Sequence, residues 1–203
     1  MADKILLNNK IYNINQDCLP CLITYNDKTG GSHFSVTMIA NLFLSGLKIL
    51  FFSAFSMAKD NFLNQAKDKK SNIKYITTVK ELQKNRQKQA IILESGNEKL
   101  FYKAIKTLGD IHDRIVFIKN IETLSSRVLN ESLTLQKIIL SGDVDKCAAK
   151  KQISGKKFKT IVIFSKPRIL LPVKPPILEK YTGYLWSDNK GGIVTVKFKK
   201  SVK

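Results

Sequence analysis

Apolar positions in this chain come in short, nearly continuous runs, and the stretches between them carry helical spacing. A run with no polar alternation suits a strand covered on both faces, as in a parallel sheet between helices. On this basis a strand is predicted over Leu19 to Tyr25, a helix from about His33 to Ser45, and a second strand over Lys48 to Phe55. The alternation continues with a helix-like MAKDNFLNQAKD, a strand IKYITTV, a basic helix KELQKNRQK and a strand QAIILES that ends at Glu94. A helix NEKLFYKAIKTLGD, a strand DRIVFIKNIE, a helix SSRVLNESLTLQ and a strand KIILSGD follow, and past a basic connector comes a last strand, KTIVIFSKP.

The two ends break the pattern. Leu170 to Pro176 holds three prolines, which no central strand tolerates. Beyond it, YTGYLWS and GIVTVKFKK flank Asp188-Asn189-Lys190-Gly191, a hairpin signal. At the start, KILLN and KIYNI form a short strand pair within residues 1–17. The expected fold class is α/β: a mainly parallel central sheet between two helical layers, with an antiparallel hairpin at its edge over residues 170–203. With 203 residues, 43% of them apolar, the chain fills one domain, 1–203.

Thr37 to Ala58 is long enough to span a bilayer, but Asn41, Ser45-Gly46 and a central Lys48 interrupt it. A helix ending at Gly46 followed by a strand accounts for the same residues, so no membrane insertion is expected. MADKILLNNK has no apolar run of secretory-signal length, and three cysteines make no disulfide framework. The expected compartment is the cytoplasm. Cys18-Leu19-Pro20-Cys21 has redox-motif spacing, yet a strand follows it rather than the helix whose dipole would lower a thiol pKa. Cys147, His33 and His112 are too scattered to complete a zinc site, and no metal site is expected.

Charge changes the picture. The formal net charge is +19, from 35 Lys and Arg against 16 acids. All of the excess falls in two segments, 66–90 and 146–203, while the rest of the chain balances. Such segregation is the footprint expected of a polyanion-binding surface; the competing reading is a lysine-rich composition that solvates the surface. On the first reading Lys84, Arg86 and Lys88 form one phosphate-contacting cluster, and Lys150, Lys151, Lys156, Lys157 and Lys159 another. Tyr181, Tyr184 and Trp186 would then stack on bases, or else pack against the sheet.

The segment with the most chemistry lies between the first core strand and the first helix. A strand, a Gly-containing turn and a helix in succession direct backbone N–H groups at one anion. Here the turn runs Asn26-Asp27-Lys28-Thr29-Gly30-Gly31-Ser32-His33-Phe34-Ser35. In this it resembles the P-loop NTPases, especially the RecA-like and KaiC-like branch, whose pattern is G-x-x-x-x-G-K-[ST]. Laid on that pattern, Asp27 falls at the first glycine, Ser32 at the second, His33 at the lysine and Phe34 at the hydroxyl residue that holds magnesium. Lys28 sits where the deviant P-loops of ParA-like and MinD-like proteins carry an extra lysine. The family also places an acid at the end of an apolar strand to order magnesium-bound water, and RIVFIKNIE presents Lys119-Asn120 there, with Glu122 just beyond. Glu94, at the end of its strand, stands where some RecA-like ATPases hold a water-activating carboxylate, or caps the following helix.

The resemblance implies a three-layer RecA-like P-loop fold whose phosphate-binding residues are Lys28, Thr29, Gly30, Gly31, Ser32 and His33. It also implies a pseudo-ATPase comparable to the RecA-like Elongator subunits: a binding or regulatory subunit, holding ATP or another nucleotide weakly and without magnesium, beside homo- or hetero-oligomeric partners. Neutral His33 is no substitute for a permanent ammonium at pH 7. Two readings compete with this one. The first is nucleic-acid binding through the basic segments; the second is an active ATPase with a deviant P-loop that uses Lys28 and Glu94.

Overall fold

The computed structural model of the chain describes residues 4–7, 10–13, 18–26, 28–165, 178, 182–187 and 190–195. The apolar runs become seven parallel strands: β3 (Cys21–Thr24), β4 (Ile49–Ser53), β5 (Ile73–Ile76), β6 (Ala90–Leu93), β7 (Ile115–Lys119), β8 (Ile138–Gly142) and β9 (Thr160–Ile163). Every residue of β3, β4, β6, β7, β8 and β9 is buried, because helices cover both faces. The period of two divides these residues between two cores. Cys21 and Ile23 join the layer of α1 (Gly31–Leu44) and α2 (Ser56–Gln65). Leu22 faces the opposite layer of α3 (Val79–Lys84), α4 (Glu98–Thr107), α5 (Ser126–Leu133) and α6 (Lys150–Gly155).

Helix boundaries follow local chemistry. Thr78 and Glu81 form a reciprocal capping box on α3, and Asn97 caps α4 through the Leu100 amide. Gly30 precedes α1 in the left-handed region at φ 91° and has no side chain with which to cap it. The element missed by sequence is α6, inside the segment read as a basic connector; only Ile153 of it is buried, too little for a periodic signal.

Two strand pairs extend the sheet. β10 (Thr182–Ser187) runs antiparallel to β9 and to β11 (Lys190–Thr195), so the hairpin forms where the turn residues placed it. It is not the sheet's edge, however. β1 (Lys4–Leu7) pairs with β11, and β2 (Lys10–Asn13) pairs with β1, giving an 11-stranded order β2-β1-β11-β10-β9-β3-β8-β7-β4-β6-β5. The exposed strand row that a hairpin would leave at the end of the sheet is covered by the N-terminal pair. The proline-rich stretch 170–176 lies outside the described residues.

Among the described residues no helix is long and apolar enough to cross a membrane. The stretch 37–58 is split between α1, β4 and the start of α2.

Candidate functional site

All seven parallel strands point their carboxyl ends one way, and the loop from β3 to α1 opens there, where α/β sheets hold ligands. Lys28 at φ 65° and Gly30 at φ 91° are both left-handed, and this turns the chain sharply into α1. Lys28 is exposed, Thr29 donates to the Asn26 carbonyl at 2.8 Å, and Asp27 lies outside the described residues. Gly31 packs so tightly on Tyr25 that a Cβ there would sit 2.5 to 2.8 Å from the tyrosine side chain. Tyr25 therefore occupies the space beneath the first turn of α1.

Beside it stands a side chain from two strands away in the sheet. Lys119, the last residue of β7, is only 4% exposed and donates to the Tyr25 hydroxyl at 2.6 Å and to Ser32 Oγ at 2.8 Å. Its ammonium also lies 5.0 Å from the centre of the Tyr25 ring. No carboxylate pairs with it among the described residues. Burial lowers the Lys119 pKa to about 8, and Glu122 opposes that shift electrostatically. Burial likewise raises Tyr25 to about 12. At neutral pH the pair is an ammonium held by a neutral phenol.

A cleft of about 170 Å³ reaches this ammonium, lined by Ser32, Phe55, Met57, Ala58, Asn61, Lys119 and Asn120. Phe55 and Met57 are exposed at 55% and 73%, which makes its mouth apolar. Asn120, left-handed at φ 62°, accepts from Ser53 Oγ at 3.2 Å and so ties the ends of β7 and β4 together. Glu122 accepts the Asp143 amide at 3.0 Å over Gly142, where a Cβ would collide with the carboxylate. The carboxylate is thus committed to the β8 end.

The predicted phosphate-loop residues Lys28, Thr29, Gly30, Gly31, Ser32 and His33 are brought together at one turn, but they do not act alike. Ser32 faces the cleft, whereas His33 is exposed, stands 3.5 Å from Thr37 Oγ1, and has its pKa lowered by partial burial, which keeps it neutral at pH 7. Glu94 is not brought to the loop. It follows β6, four strands from β3, about 19 Å at the usual spacing of about 4.8 Å. Its carboxylate accepts from Asn97 Nδ2 at 2.8 Å, where it supports the α4 cap.

Of the basic residues, Lys84, Arg86, Lys150, Lys151, Lys157 and Lys159 are exposed. Lys88 donates to the Ser71 carbonyl, and Lys156 to the Leu133 and Leu135 carbonyls at the end of α5, so these two are spent on backbone. Trp186 packs against the core, Tyr184 is half-buried in β10, and Tyr181 lies outside the described residues. Cys21 and Cys147 are buried and their thiol pKa values raised, the opposite of a reactive thiolate. No cluster of three metal-ligating side chains occurs among the described residues.

Lys119 is the residue that sequence reasoning treated only as a missing acid. Its signal was a lysine ending a wholly apolar run, but its partners, Tyr25 and Ser32, lie 94 and 87 residues away.

No family model matches the chain, and no curated protein matches it. Among solved structures, the cytoplasmic domain of EssC superposes with a TM-score of 0.55 at 10% identity, over 95% of this chain. The chain spans 42% of that protein's resolved length. At this identity the likeness concerns fold: an α/β architecture with a mainly parallel sheet.

Proposed function

We propose that this chain is a RecA-like P-loop pseudo-ATPase that holds the phosphate of a nucleotide or similar ligand without magnesium and without hydrolysing it, and serves as a binding or regulatory subunit. The observation that carries this reading is Lys119. In a P-loop enzyme the corresponding strand end presents an acid that helps hold the cation. Here an ammonium stands under the first turn of α1, so a divalent cation is repelled and an anion attracted. The uncapped first turn of α1 supplies amide dipoles of the same sign. The positive charge missing from the loop itself therefore returns from another strand.

The cleft is smaller than the roughly 300–1,000 Å³ that encloses a whole small ligand. It encloses a phosphate-sized group and leaves the remainder of a ligand against Phe55 and Met57. Hydrolysis is disfavoured because the strand end beside such a phosphate presents Lys119 and Asn120 in place of a carboxylate, and Glu122 is committed to the Asp143 amide. Calorimetric titration with ATP, ADP and inorganic phosphate, each in EDTA and in magnesium, tests this directly. Binding in EDTA at least as tight as in magnesium, lost in Lys119→Met, is expected. Magnesium-dependent ATP turnover, or binding that requires magnesium, overturns the reading.

A further inference from the structure

We infer that the amino-terminal edge of the parallel sheet, opposite the cleft, is a docking surface for double-stranded nucleic acid, read through its phosphates and without sequence preference. The two basic segments are far apart in sequence, yet the topology delivers part of each to this edge, together with lysines from outside them. Each helix runs down from the carboxyl edge, and the connector that enters the next strand lies at the amino edge. Lys157 and Lys159 enter β9, Lys137 enters β8, Lys48 enters β4, Arg86 enters β6 and Lys70 enters β5. All but half-buried Lys137 are exposed. Counted over the described connectors, those entering the strands after β3 carry eleven bases against three acids, and one of those acids, Asp110, is paired with buried Arg114. Those leaving the strands carry two bases against four acids.

Helix dipoles favour cations at helix ends by about 0.3–1 kcal/mol each, and this explains residues such as Lys156 that bind terminal carbonyls. It does not explain Lys48, Lys137, Lys157 and Lys159, which lie past the helices. The row crosses six strand spacings, about 29 Å, the length of about eight base pairs at about 3.4 Å each. Adjacent strands rotate by about 20–25°, so the row winds about the sheet rather than lying in a plane. A winding row follows a duplex backbone better than a flat bilayer. The exposed large apolar side chains are Phe55, Met57 and Tyr75, none of them in these connectors, so the edge offers no stacking platform for single strands among the described residues.

Fluorescence anisotropy with a labelled 20-base-pair duplex, the matching single strand, and anionic phospholipid vesicles, over a KCl series, tests the assignment. Two triple variants remove the same charge: Lys48→Gln/Lys137→Gln/Lys157→Gln at this edge, and Lys80→Gln/Lys99→Gln/Lys146→Gln toward the other. Thermal melts confirm that each is folded. The duplex is expected to bind with a steep salt dependence, whose slope falls by about 2–3 in the first variant and holds in the second. Equal losses in both variants, tighter binding to the single strand, binding to vesicles alone, or no duplex binding at low salt overturns the proposal. Neither variant touches the cleft, so nucleotide titration remains an independent result.

Discussion

Replacing Lys119 by Met should change how stability depends on pH, in a window and direction set by the structure. Lys119 is buried with two hydroxyl acceptors and no paired carboxylate among the described residues, and its pKa falls from 10.5 to about 8. That gap corresponds to ~3 kcal/mol of cost for keeping the ammonium charged in the folded chain at neutral pH. Between pH 8 and 10.5 the unfolded chain binds more protons at this lysine than the folded one, so its contribution to stability rises with pH. The gain from pH 8 to 9 is ~1 kcal/mol. Above pH 9 opposing groups take over: Cys147, raised to about 12, and Cys21, raised further, stay protonated when folded while their unfolded counterparts ionise. Tyr25 joins them above pH 10. The interval from 8 to 9 is therefore where Lys119 acts least opposed.

Urea unfolding of wild type and Lys119→Met at pH 7, 8 and 9 measures this. The absolute difference at pH 7 is a contest between relief of the buried charge and loss of two hydrogen bonds at ~1 kcal/mol each, so the slope is the informative quantity. Wild type is expected to gain ~1 kcal/mol on the variant between pH 8 and 9, with unchanged m-values. A constant difference from pH 7 to 9 would refute the buried-ammonium account. A saturating anion should flatten the wild-type slope, because it raises the Lys119 pKa.

Gly31→Ala should destabilise by about 1–3 kcal/mol through collision with Tyr25. Denaturation of Gly31→Ala, Tyr25→Gly and the double variant should show clear non-additivity, because glycine removes the Tyr25 Cβ that the new methyl would strike, and strictly additive losses would remove the collision as the cause. Arg114→Met should cost about 3–5 kcal/mol by thermal or chemical unfolding, because it strands the Asp110 carboxylate and the Arg86 and Lys88 carbonyls that the buried guanidinium satisfies. A loss below 1 kcal/mol would show that this network adds little.

Much of the fold was present in local sequence. Runs such as IVFIK and ILFFS are long enough, and apolar enough, to declare themselves as doubly covered strands, and Asn97 and Thr78 mark helix starts by chemistry confined to one turn. The strand-to-helix turn at 26–33 was likewise legible, because its glycines and position are local facts. What sequence could not supply was the order of strands. That order carries Glu94 away from the loop it had been matched with, and brings the N-terminal pair against β11. It also turns Lys119 from a missing acid into the cation beneath α1, and collects scattered lysines on one edge. Hydrogen-bond capacity along a strand is the same whichever neighbour it meets, so strand order is fixed by the packing of whole faces, and only the tertiary structure decides which charges meet.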